Sequence, residues 1–175
     1  MRPIFTIHAG EYLVADYLER NKNLRIWVPS KDEGIDLLVT NQHCDKAVSL
    51  QVKFSKSFGG NENADATGWW YLDKTKIEKS PAKFWVFVLT NNLATRKLGD
   101  YHFLIITPRD LLHRLREIHG DLDRYQVYLW VSDKTAIETR DAKKQEKIDL
   151  FRRPDGMRDF SQYLDNWEAV LRSLR

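Results

Sequence analysis

From Val48 to Phe54 the chain reads Val-Ser-Leu-Gln-Val-Lys-Phe, apolar at every even position and polar at every odd one. A period of two has no place on an α-helix, so the segment is constrained to a strand with one buried face. Its partner is close by. Ile35-Asp36-Leu37-Leu38-Val39 follows Gly34, and polar residues from Asn41 to Lys46 supply a turn. With Thr40 opposite Ala47, the two arms form an antiparallel hairpin in which the numbers of facing residues add to 87. Asp36 is then expected opposite Gln51, with Cβ atoms about 4.5–5.5 Å apart. Gln51 and Lys53 share the polar face of the second arm, roughly 6.5–7 Å apart along it.

One carboxylate, one amide oxygen and one ammonium are therefore expected on a small patch. Carboxylate and carbonyl oxygens suit a hard cation such as Mg²⁺, which keeps several of its waters. The lysine is placed either to orient and activate an attacking water or to stabilise charge developing on a phosphate. This is equipment for metal-assisted hydrolysis of a phosphodiester.

These residues resemble the PD-(D/E)XK nuclease superfamily, in the branch where Gln replaces the second acid, as in methylation-dependent type IV restriction endonucleases. The resemblance extends over roughly residues 8 to 106, with Asp36 and Gln51-Val52-Lys53 on the motif positions. Ile35 stands where the superfamily often has Pro, and Glu11 in Gly10-Glu11-Tyr12-Leu13 fits the acid often found on its first helix. The resemblance implies an α/β fold with a restriction endonuclease-like αβββαβ core, a mixed central sheet flanked by helices. It further implies Mg²⁺ or Mn²⁺ on Asp36, the Gln51 side chain and the Val52 backbone carbonyl. Lys53 is then the water-positioning residue, and Glu11 completes the site directly or through water. DNA is the implied substrate. A homodimer is compatible with it, because cutting a duplex takes two cuts.

The remainder of the chain is read for elements. A helix is expected over Ala9–Arg20, with Leu13, Val14, Tyr17 and Leu18 on one side, and a short strand over Leu24–Val28. Ser55 to Gly68, rich in Ser, Gly and Asn, reads as a long mobile loop that touches substrate. A partly helical segment follows at Asp73–Ser80. Phe84–Leu89 reads as a strand buried on both faces, and Tyr101–Ile106 as another. A helix opened by Pro108 ends at Gly120. Tyr125–Val131 is expected to be an edge strand, and residues 132 to 149 a solvated connector. A last helix, Phe160–Ser173 within a docking segment at about 160–175, should place Tyr163, Trp167, Val170, Leu171 and Leu174 on the core. All 175 residues are expected in one domain.

Among residues outside the motif, Lys56, Trp69 and Trp70 are candidates for substrate binding, the first for phosphate and the indoles for stacking on bases. Core packing is the competing reading for the two tryptophans. For Glu11 the competitor is a first-turn acid favoured by the helix dipole. Glu33 is a further carboxylate close to the hairpin. The five histidines show no metal-ligand spacing, and the single cysteine, Cys44, falls in the hairpin turn. A net charge of +3 permits nucleic-acid binding without demanding it. The N-terminus lacks a signal-peptide pattern, and no run approaches the ~18 apolar residues of a membrane span. A cytoplasmic protein is expected. The rival functional reading is a catalytically inactive nuclease-fold module that binds nucleic acid or protein.

Overall fold

Helix α1 (Ala9–Lys22) starts where the Glu11 carboxylate reaches back to accept a hydrogen bond from the His8 backbone N–H (3.0 Å). It ends at Asn23, in the left-handed region at φ 53°, whose N–H donates to the Leu18 carbonyl. The computed structural model describes residues 7–30, 33–55, 64–91, 101–154 and 156–175. After α1 come β1 (Arg25–Trp27), β2 (Leu37–Thr40) and β3 (Ala47–Phe54), an antiparallel meander. The β2–β3 register pairs Leu37 with Leu50 through to Thr40 with Ala47, the register read from the hairpin pattern.

Strand β4 (Ala66–Asp73) and helix α2 (Lys74–Glu78) lead into β5 (Phe84–Asn91), which lies parallel to β3, with Gln51 beside Trp85 and Lys53 beside Phe87. Strand β6 (Tyr101–Ile106) pairs antiparallel with the other edge of β5. Helix α3 (Pro108–His119) follows, begun by the Thr107 hydroxyl accepting from the Asp110 N–H and by Pro108 in the first turn. Strands β7 (Arg124–Ser132) and β8 (Thr135–Glu138) extend the sheet, and α4 (Lys144–Arg152) and α5 (Glu168–Arg172) come after them. Among the described residues this is a mixed eight-stranded sheet with five α-helices.

Strand β5 separates two cores. Phe84, Val86 and Val88 face α1 together with Val14, Leu18, Leu50, Val52, Trp167 and Val170. Trp85, Phe87 and Leu89 face α2, α3 and the β4–β7 layer, with Ile77, Leu111, Leu115, Trp70 and Val127. This double burial is what its unbroken apolar run requires. Truncating any of these aliphatic side chains to Ala should cost about 2–5 kcal/mol.

Four sequence expectations are corrected. Residues 66–68, read as the end of a loop, belong to β4, and Ala66, Thr67 and Gly68 are buried; the loop's residues 56–63 lie outside the described residues. Strand β7 is interior, paired with β4 over Arg124–Val131 and with β8 over Leu129–Ser132. Its alternating pattern reports side-chain burial and carries no information about whether both backbone edges are paired. The stretch 132–149 contains β8 and the start of α4, because Asp133, at φ 53°, turns the chain back onto β7. The C-terminal segment is not one helix. Phe160 enters one core and Trp167 the other, so the chain must cross the sheet edge between them. It does so extended at Leu164, which bridges to Leu104. Asp165 is pinned there by its N–H to the Phe103 carbonyl and by its carboxylate on the Phe103 N–H (2.7 Å).

Glu138 is fully buried at the end of β8 and acts as a backbone surrogate. Its Oε1 accepts from the N–H groups of Tyr128 (3.3 Å) and Arg140 (3.0 Å), and its Oε2 pairs with Arg158 Nη1 at 2.6 Å. Glu138→Ala should therefore take the charged partner from the half-buried Arg158, leaving its Nη1 only the Glu138 and Arg140 carbonyls, and the acceptor from the part-buried Tyr128 and Arg140 amides, at a cost of about 3–5 kcal/mol. Urea denaturation of the variant against wild type measures it.

Candidate active site at the end of β2

The β2–β3 pairing changes at Asp36. Leu37 is the pairing partner of Leu50, yet the Asp36 N–H also donates to the Leu50 carbonyl (2.9 Å). Two residues of one arm thus oppose one of the other, as in a β-bulge, a device that re-aims a side chain. The re-aimed carboxylate takes over the next ladder position: Asp36 Oδ2 accepts from the Val52 N–H at 2.6 Å. Charge-assisted hydrogen bonds of this kind are about twice as strong as neutral ones. They hold the half-buried carboxylate in one place. The N–H and C=O of one strand residue point to the same edge, so the Val52 carbonyl opens onto the gap that the Asp36 carboxylate borders.

Gln51 and Lys53, both half-buried, point to the opposite face of β3 from Val48, Leu50 and Val52. Their neighbours are Trp85 and Phe87 on β5, and the Lys53 ammonium sits 5.0 Å from the centre of the Trp85 ring. A cation held over an indole gains about 0.5–2 kcal/mol and keeps a defined position. Trp85 is itself locked by its indole N–H to the Ser80 hydroxyl (2.8 Å).

Glu11 approaches from the other side. Only 9% exposed, it lines a cleft of about 260 Å³ with His8, Gly10, Val52 and Phe54. The approach depends on Gly10, where an added Cβ would lie 2.5 Å from the Phe54 Cβ. Val52 is therefore the hub: its amide carries Asp36, its side chain borders the Glu11 cleft, and its chain neighbours are Gln51 and Lys53. A hard cation fits the donors on offer at this edge, since they are oxygens of carboxylate, carbonyl and amide type. Among the described residues no three His, Cys, Asp or Glu side chains form a metal-ligating cluster, so any cation here would rely on the Val52 carbonyl or the Gln51 amide as well as on acids.

The substrate-binding candidates divide. Trp70 is 6% exposed and packs edge-on against Phe87 (5.0 Å), with Gly68 leaving room for its ring. It is a core residue, and the stacking role expected for it is withdrawn. Trp69, one residue earlier, points away from that core and pairs with Tyr128 (6.2 Å). Lys56 lies outside the described residues. Sequence reasoning missed Ser55, two residues beyond Lys53, whose buried hydroxyl accepts from the Trp69 N–H (3.0 Å) and ties β3 to β4. The alternation Ala66, Gly68, Trp70, Leu72 against Thr67, Trp69, Tyr71 was the available signal for β4. The Gly-Ser-Asn texture before it concealed the strand. No known family, curated protein or solved structure matches this chain.

Gly10→Ala should push α1 off Phe54 and move Glu11 relative to Val52. The expected cost is about 1–3 kcal/mol in stability, read as a lowered urea midpoint, whereas Tyr12→Ala on the exposed face of the same helix should change it little.

Proposed function

We propose that this chain is a metal-dependent nuclease that hydrolyses phosphodiester bonds, in DNA before other nucleic acids, with its active site at the end of β2. The observation that carries the reading is the Asp36 carboxylate fixed on the Val52 amide, on the strand that bears Gln51 and Lys53. The topology supports it: α1, an antiparallel β1–β2–β3 meander and β5 parallel to β3 correspond to the αβββαβ core that the motif resemblance implies. In this chain the connection from β3 to β5 also carries β4 ahead of its helix.

In this reading Mg²⁺ or Mn²⁺ would be held by Asp36 and the Val52 carbonyl. Gln51 would contribute its amide oxygen, and Glu11 would act directly or through a water. When bound, the ion polarises the phosphodiester and lowers the pKa of a coordinated water. Asp36 contributes the negative charge closest to the gap, and its hydrogen bond to Val52 fixes the direction from which it offers an oxygen. Lys53 carries the positive charge that offsets what builds up on the phosphate, and Trp85 restrains its ammonium in advance, the preorganisation on which electrostatic stabilisation depends. Gln51 brings no charge, so metal affinity rests on the two acids and on the substrate phosphate. That same neutrality favours the second reading, a non-cleaving module that binds nucleic acid or protein.

Incubation with plasmid, single-stranded DNA, branched DNA and RNA in Mg²⁺ or Mn²⁺ tests the proposal. Cleavage should fall by about 10²–10³-fold in Lys53→Ala, with the Mn²⁺-induced rise in melting temperature retained. Asp36→Ala should lose both cleavage and that rise, since it removes a charged ligand. Gln51→Glu should enlarge the rise. Wild-type protein that cuts no substrate and gains no stability from either metal would sink the nuclease reading and leave the binding module.

A further inference from the structure

One face of β3 carries Val48, Leu50, Val52 and Phe54, and their exposure along the strand runs 2%, 0%, 8% and 37%. The largest apolar side chain of the four is the one left in contact with solvent. The cause lies in the pairing. Strand β2 accompanies β3 only as far as Leu50, and among the described residues β3 is paired from there to Phe54 by β5, on its other edge. No residue of β2 stands beside Phe54 to cover it. Val52 lacks a β2 partner as well, but there the Asp36 carboxylate takes the amide.

Although exposed, the ring is backed. Helix α1 meets it at Gly10, where an added Cβ would lie 2.5 Å from Phe54 Cβ, 3.1 Å from Cγ and 3.4 Å from Cδ2. One edge of the ring therefore rests on the helix backbone. Phe54 also lines the cleft that holds Glu11, together with His8, Gly10 and Val52. It stands two residues beyond Val52 on the same face, roughly 6.5–7 Å along the strand. Its chain neighbour is Lys53. A single apolar ring is thus set among a carboxylate, an imidazole and an ammonium, at the edge where the Asp36 carboxylate is fixed.

We propose that Phe54 stacks on the base of the nucleotide next to the phosphate held at the Asp36–Val52 gap, so that the substrate is unpaired at that position. The placing of the phosphate rests on the nuclease reading of the gap. A larger apolar surface would suit a partner protein, but one ring surrounded by polar and charged groups suits a ligand that brings a single flat apolar face together with charge. A nucleotide is such a ligand. Its phosphate belongs with the cation and Lys53, and its base is the part with a face to offer a ring. In a duplex that face is taken up by the neighbouring base pairs, whereas an unpaired base can be turned onto an aromatic side chain. With the phosphate at Val52, the flanking base comes within reach of Phe54, the next residue on that face.

Fluorescence anisotropy of a labelled 20-nucleotide oligothymidylate in EDTA measures the contact without metal or cleavage. Phe54→Leu should weaken binding at least about fivefold, in line with the loss of one stacked base, while Phe54→Tyr keeps it within about twofold. A blunt DNA duplex should bind wild type and Phe54→Leu alike. Leucine keeps an apolar side chain against Gly10, so the urea midpoint should move little. In Mn²⁺, a strand with an abasic nucleotide beside the cut bond should be cleaved by wild type as slowly as Phe54→Leu cleaves the intact strand. Phe54→Leu should lose nothing further on the abasic strand, whereas a purely structural role would slow the variant by the same factor on both. A protein that binds in this way and never cuts keeps the base contact and loses the nuclease reading. Phe54→Leu within about twofold of wild type on the single strand overturns the inference. So does wild-type cleavage of the abasic strand at the intact rate, and either result leaves the nuclease reading standing.

Discussion

Strand β5 is asked to satisfy apolar packing on both faces and hydrogen bonding along both edges. Its six residues from Phe84 to Leu89 are all buried, three toward α1 and three toward α3. A strand with two dry faces has to be central. Its edges are filled by β3 on one side and β6 on the other, with β4 continuing beyond β3 at Thr90 and Asn91. Handing one edge from β3 to β4 continues the sheet into β4, β7 and β8, and α3 packs Leu111, Leu112 and Leu115 into the core that these strands share with β5. The C-terminal segment follows from the same constraint: with two cores to seal, it crosses the sheet edge at Leu164 in place of continuing as a helix.

The proposed catalytic gap arises from an interruption of regular pairing. Where β2 stops, an amide of β3 would be left without a partner, and buried backbone groups are seldom left so. Asp36 supplies the acceptor with its side chain. The carboxylate is thereby tied to the sheet's own backbone. Gly10 serves the same end from the helix side, letting α1 approach Phe54 closely enough for Glu11 to border Val52. Glu138 repeats the device at the far end of the sheet, its buried carboxylate accepting from Tyr128 and Arg140 where the β7–β8 ladder has run out. There Arg158 neutralises it at 2.6 Å, which makes it a structural acid.

The two tryptophans at 69 and 70 show how strand geometry divides like residues. One position apart on β4, they face opposite ways. Trp70 fills the space above Gly68 and touches Phe87, while Trp69 joins Tyr71 and Tyr128 on the outer face. The same strand thus supplies a core on one side and half-buried and exposed rings on the other, where Arg140 lies over Tyr128 and Lys147 over Trp130.

Much of this was legible in the chain itself. The alternation from Val48 to Phe54 determined β3 and its register with β2, the Pro108-to-Gly120 punctuation determined α3, and the unbroken run at Phe84 determined a strand buried on both faces. Each is a local pattern, because side-chain burial repeats with the backbone's own period. What only the tertiary structure decided was of another kind. It concerned which edges of β7 are bonded, that four residues within a charged stretch form β8, that the last segment breaks at Leu164, and which tryptophan of the pair faces the core. It also concerned the bulge that sends the Asp36 carboxylate to Val52. These depend on hydrogen bonds and contacts between residues distant in sequence, and on which of two faces meets the larger apolar mass. Periodicity records that a residue is turned inward; it does not record what the inside contains.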